Sequence, residues 1–105
     1  MGGGGSTARA ALQARPDLAD AHANLGNVLA QTGRLAEAIS HYEAALRLRS
    51  DFADAHFNLA TALAQLQRWP EAISHYQAVL RVKPDYPGVR ERLARVQAMQ
   101  DVYGK

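Results

Sequence analysis

Four histidines pose the first chemical question. His22 and His56 stand 34 residues apart, and so do His41 and His75; imidazoles placed in register are metal ligands and general bases in many proteins. Ser40 and Ser74 directly precede His41 and His75, which supplies the residue types of a nucleophile and its base. The spacing defeats both chemistries. Neighbouring helical residues diverge by about 100°, so an adjacent Ser–His pair cannot share a proton. Equivalent positions on packed helices lie about 10 Å apart, too far for one metal bonded to both at about 2.0–2.1 Å. The chain has no cysteine, which removes thiolate metal sites and thiol catalysis, and no Gly-rich phosphate loop occurs. The expectation is therefore no enzyme, no metal and no cofactor, with His22 and His56 filling an interhelical seam and His41 and His75 near solvent.

The carboxamides are better placed. ADAHANLG, residues 19–26, returns as ADAHFNLA, residues 53–60, and both copies keep an asparagine, Asn24 and Asn58, beside an apolar leucine. With Leu25 and Leu59 expected in the core, the asparagines turn about 100° away from it. A carboxamide both donates and accepts, and so matches a peptide unit whatever its side chain. The other role open to Asn24 and Asn58 is a hydrogen bond to a neighbouring helix within the fold.

The elements that position these residues follow from a repeat. Residues 19–52 and 53–86 are identical at 20 of 34 positions, which marks a repeat architecture. Apolar residues recur at helical spacing in each unit: Ala21, Leu25, Val28 and Leu29, then Ala38, Ile39, Tyr42, Ala45 and Leu46. Each unit thus reads as two amphipathic helices. Gly33 breaks the first pair, Pro70 suits the start of a second helix, and Asp17, Asp20, Asp51 and Asp54 are expected to cap the first helices. Leu35 and Trp69 are expected to plug the turns. Residues 7–15 resemble a lone second helix, and residues 87–101 a polar closing helix. The opening MGGGGS fits the myristoylation pattern M-G-x-x-x-[ST] formally, but four glycines before a serine read as a flexible linker or cloning remnant over residues 1–6.

Composition agrees with a soluble domain: 105 residues, 48% hydrophobic, 21% charged, net charge +2. The basic residues form no run, which argues against a nucleic-acid partner. No apolar stretch approaches the roughly 18 residues of a membrane span, and the cytoplasm is the expected compartment.

The 34-residue period and the signature W-x2-L-G-x2-Y, A-x3-F, P make the chain resemble the tetratricopeptide repeat family. Leu25, Gly26, Ala38, Tyr42 and Ala45 take the signature places in the first unit, and Leu59, Ala60, Ala72, Tyr76 and Pro84 in the second. His22, Leu29, His56 and Leu63 depart from it. The resemblance implies an all-α fold, a right-handed solenoid of antiparallel helix hairpins with about six helices. It further implies that the first helices line a concave groove that takes an extended protein or peptide segment. Repeats similar to those of O-linked N-acetylglucosamine transferase use asparagines there as a ladder for peptide backbone. On this reading Asn24, Asn27, Gln31, Asn58 and Gln65 meet the backbone, Phe57 anchors an apolar side chain or packs on the next helix, and Arg92 and Arg95 favour an acidic end.

The resemblance to co-chaperone members is partial. Asn27, Asn58 and Arg92 match three places of their five-residue carboxylate clamp, but Ala23 and Gly88 stand where its two lysines belong. Without those cations, strong capture of a chaperone tail is not expected. The alternatives are a self-associating fragment, pairing through an apolar face around Leu12, and the adaptor portion of a larger enzyme such as a glycosyltransferase.

Overall fold

The computed structural model describes residues 18–104, and among them are five α-helices and no strand. They are α1 (18–31), α2 (Leu35–Leu48), α3 (Ala53–Gln65), α4 (Trp69–Val82) and α5 (Val89–Tyr103). The further helix expected over residues 7–15, and with it the face around Leu12, lies outside the described residues. None of the described helices is long and apolar enough to cross a membrane.

The helices form because each carries one apolar stripe. On α2 the buried residues are Ala38, Ile39, Tyr42 and Ala45, and on α4 they include Trp69, Ala72, Tyr76 and Val79, the spacing of a single helix face. Consecutive helices pack on one another, α2 on α3, α3 on α4 and α4 on α5. Small residues set how closely they approach: Ala38, Ala45, Ala60 and Ala72 are fully buried. Gly26 on α1 lies beneath the Tyr42 ring of α2, where an added Cβ would come within 2.7 Å of Cε1.

The two turns inside the hairpins are built alike. Gly33 has φ +83° and Gln67, its equivalent, φ +61°. Around each, the next N–H reaches back across the helix end, Arg34 to the Leu29 carbonyl at 2.8 Å and Arg68 to the Leu63 carbonyl at 2.9 Å. The left-handed residue itself donates to Ala30 or Ala64, completing a Schellman closure. Leu35 and Trp69 are not in these turns; they open α2 and α4, and Trp69 is buried in the core. Pro70 occupies the first turn of α4 as expected.

Two other expectations need correction. No side chain caps α2, α3, α4 or α5. Asp54 remains in the first turn of α3, where the helix dipole favours it, but its carboxylate accepts from the Tyr86 hydroxyl, and Asp20 accepts from Arg49 at 3.2 Å. Long-range partners have outcompeted the local N–H groups. Leu25 is also not buried: it is 44% exposed where its equivalent Leu59 is 1% exposed. Leu59 joins the main core between α1, α2 and α4, whereas Leu25 shares the outer side of α1 with exposed Leu18 and Val28. Helix α5 closes the described stack with Val89 and Val96 inward and Arg90, Glu91, Arg92, Arg95 and Gln97 exposed.

Candidate functional site

An open recess of about 450 Å³ lies along α1 and α3. Its polar lining is Asn27 and Gln31 from α1 and Asn58, Thr61 and Gln65 from α3, with Tyr42 of α2 at the base. These polar groups recur every three to four residues on each helix, so one face of each helix faces the recess.

The carboxamides are ordered by a defined set of hydrogen bonds. Tyr42 donates its hydroxyl to Asn27 Oδ1 at 2.6 Å, and Asn58 donates Nδ2–H to the same oxygen at 3.0 Å. Burial pushes the Tyr42 phenol above its ordinary range, which keeps it a donor. With both lone pairs of that oxygen engaged, Asn27 Nδ2 and Asn58 Oδ1 are left without a hydrogen-bond partner among the described residues, and both residues line the recess. A donor and an acceptor thus stand side by side at the recess wall.

One unit further on the arrangement is smaller. Thr61, the equivalent of Asn27, donates its hydroxyl to the Phe57 carbonyl at 3.0 Å and lies 2.8 Å from the Tyr76 hydroxyl. Its single proton being spent, Tyr76 is the donor. Thr61 and Gln65 also line a second recess of about 220 Å³, floored by Trp69, Tyr76, Val96 and Met99, with Arg92 and Arg95 at its rim. Neither arginine has an ion-pair partner among the described residues.

Of the expected site residues, Asn27, Gln31, Asn58 and Gln65 come together in the first recess, and Arg92 and Arg95 in the second. Asn24 does not join them: it is exposed and lines neither. Phe57 is engaged within the fold, stacked on Tyr86 at 5.2 Å, edge-on to Tyr76 at 5.7 Å, with the Arg92 guanidinium 5.1 Å from its ring centre. The Tyr86 hydroxyl is pushed up to about 12 by burial and by its bond to Asp54. Missing from the sequence reading were Tyr42, Thr61, Trp69, Tyr76 and Met99. The one available signal was that a hydroxyl-bearing tyrosine follows a polar groove residue by 15 positions in both units.

The histidines pair across hairpins, not along the repeat. His22 and His41 bring their Nδ1 atoms to 3.1 Å, and His56 and His75 to 2.9 Å. All four are half-buried, so His41 and His75 share the seam with His22 and His56 and are not solvent-facing as expected. His56 Nε2 lies 2.8 Å from the Ser50 carbonyl and must carry its proton there, which makes His56 Nδ1 an acceptor and His75 Nδ1 the donor. Burial, and then the nearby His56, hold His75 below the usual histidine range, against an opposing pull from Glu71.

Comparison with known proteins adds the following. A model described as TPR repeat matches residues 26–67, and one described as Tetratricopeptide repeat matches residues 53–86. No curated protein sequence matches this one. Among solved structures the chain is similar to "First TPR of Spaghetti (RPAP3) bound to HSP90 peptide SRMEEVD", with a TM-score of 0.74 at 21% identity. The match covers 76% of this chain and 64% of that one, so the chain spans somewhat under two thirds of its neighbour's length.

Proposed function

Because the chain belongs to the tetratricopeptide repeat family, we propose that it is a non-enzymatic protein- or peptide-binding scaffold whose concave groove holds an extended segment. The carrying observation is the Asn27–Asn58 pair, bonded to each other in the recess wall with a carboxamide donor and a carboxamide acceptor left over. An extended peptide presents a carbonyl and an N–H in the same proximity, so the pair reads backbone without regard to side chain. Gln31 and Gln65 extend the row along α1 and α3, whereas Asn24 is exposed and lines neither recess.

The second recess sets the end preference. Its floor accepts an apolar side chain, and Arg92 and Arg95 at the rim favour a carboxylate beside it. The structural neighbour is bound to a peptide ending in acidic residues, which supports the same polarity here. Ala23 and Gly88 in place of lysines make the attraction weaker than a full carboxylate clamp would give.

The test is fluorescence anisotropy against a panel of short unstructured peptides with acidic or neutral C-terminal ends. Acidic-ended members should bind more tightly, and Arg92→Ala with Arg95→Ala should erase that preference. Asn27→Ala with Asn58→Ala should weaken every binder about tenfold or more, since hydrogen bonds contribute about 0.5–1.5 kcal/mol each. A panel in which nothing binds, or binders indifferent to all four substitutions, would overturn the reading.

A further inference from the structure

We propose that the outer stripe of α1, formed by Leu18, Ala21, Leu25 and Val28, is a self-association surface through which two copies of this chain pair antiparallel, α1 against α1. Shifted by the 34-residue period, the same stripe on α3 is Phe52, Ala55, Leu59 and Ala62. There it is covered. Ala55 shares a cluster with Ala45 and Leu46 of α2, and Leu59 and Ala62 lie in one core with Ala38, Ile39 and Tyr42 of the same helix. On α1 the equivalents are open: Ala21 is exposed, and Leu18, Leu25 and Val28 are 49%, 44% and 55% exposed. Among the described residues the repeat thus builds this helix-binding face twice and fills it once, and an apolar stripe of this kind marks an interaction surface.

Three observations point to a second copy as the occupant. The first is composition: at the places of Ala38, Ile39 and Tyr42, the α2 residues that share a core with Leu59 and Ala62, the chain carries Gly4, Gly5 and Ala8. Glycines bring no side chains to cover Leu25 and Val28. The second is charge. Asp20 is the single charged residue of α1 and is taken by Arg49 at 3.2 Å, so two α1 helices meet without bringing unpaired like charges together. Helix α5 is no match for the stripe, because Glu91, Gln97 and Asp101 are exposed on it. The third is register. A two-fold axis crossing α1 at the level of Ala23 sets Leu25 opposite Ala21 of the second copy and Leu18 opposite its Val28, and the reverse. The small residue then falls near the crossing, where the helices are closest, and the larger ones pair where they diverge. A parallel pair would set Ala21 on Ala21 and align the two helix dipoles. The stripe runs about 15 Å along the helix, so the interface stays below about 1,200 Å² and the dimer is weak and reversible.

The experiment is sedimentation velocity on the full chain from about 10 μM to about 1 mM, the range in which so small an interface assembles. The mass should rise with concentration from 11.4 kDa toward twice that value. Leu25→Glu should raise the dissociation constant at least about tenfold and leave the urea midpoint of the dilute chain unchanged, because the side chain it replaces lies outside the core. The register has its own test, since the chain has no cysteine. An equimolar mixture of Ala21→Cys and Leu25→Cys chains should form the mixed disulfide faster than either chain forms its own. A monomer over the whole range would overturn the proposal; if that monomer loses stability on Leu25→Glu, residues 7–15 of the same chain hold the stripe instead. A dimer indifferent to Leu25→Glu, or cysteines that link no faster mixed than alone, would overturn it as well.

Discussion

Asn58 donates its side-chain N–H to Asn27 Oδ1 at 3.0 Å, and these two residues occupy different positions of the repeat. A groove read only by its period would pair Asn58 with Asn24. The structure instead links a residue on α3 to one a turn further along α1, so the two carboxamides orient each other. Their worth to the fold is measurable. Asn58→Ala removes one hydrogen bond while Tyr42 still serves Asn27, and should cost about 0.5–1.5 kcal/mol in urea denaturation. Asn24→Ala should stay within about 0.5 kcal/mol of the parent. A double-mutant cycle on Asn27 and Asn58 should give a coupling of about 0.5–1.5 kcal/mol; zero coupling would mean the bond is not made in solution.

Gln67 holds a left-handed backbone, φ +61°, where the first unit has Gly33 at +83°. A side chain in that region costs about 1 kcal/mol or more. Gln67→Gly should therefore raise Tm by a few degrees, and Gly33→Ala should lower it although nothing lies within 4 Å of the added Cβ. Equal melting temperatures for all three chains would contradict the turn geometry.

Gly26→Ala brings a methyl group to 2.7 Å from the Tyr42 ring. The ring must move, and its hydroxyl with it, so the expected loss is about 1–3 kcal/mol from overpacking, with loosening of Asn27. Tyr42→Phe separates the two effects: it keeps the packing and removes only the hydroxyl, at about 1 kcal/mol. Should Gly26→Ala prove no more costly than Tyr42→Phe, the close approach is not a constraint on the hairpin.

Acid should weaken the α3–α4 hairpin. His75 is held below its ordinary value chiefly by burial, so over that window the unfolded chain binds more protons than the folded one, and stability falls as pH drops. The contribution is complete above the unfolded pKa, about 6.5, and is lost as pH falls from there through the lower folded value. Urea midpoints between pH 5 and 8, taken with a chelator present, should rise with pH, and His75→Gln should flatten the rise. An unchanged slope would place the titration elsewhere.

The helices and part of the recess lining could be read from the sequence because both depend on one period. Asn27, Gln31, Asn58 and Gln65 lie on faces set by helical spacing alone, and they meet in one recess. Contacts between a residue and a different repeat position could not be read that way. His22 meets His41, and His56 meets His75, at an offset of 19; that offset depends on where the hairpin turns, not on the 34-residue repeat. Leu25 and Leu59 show the same limit, since identical residues in identical positions differ in what lies against them. Asp54 failed as a cap for a related reason: Tyr86, 32 positions away, takes its carboxylate.

Thr61 and Gln65 belong to both recesses, and under the proposed peptide-binding function that shared wall makes them one tandem receptor. A peptide seated against the carboxamides holds its next residues at the threshold of the arginine-rimmed recess, so the second engagement is intramolecular and proceeds at a high effective concentration. Affinity should then fall steeply when a ligand is cut at the residue that crosses Thr61, and much less when it is trimmed at either outer end.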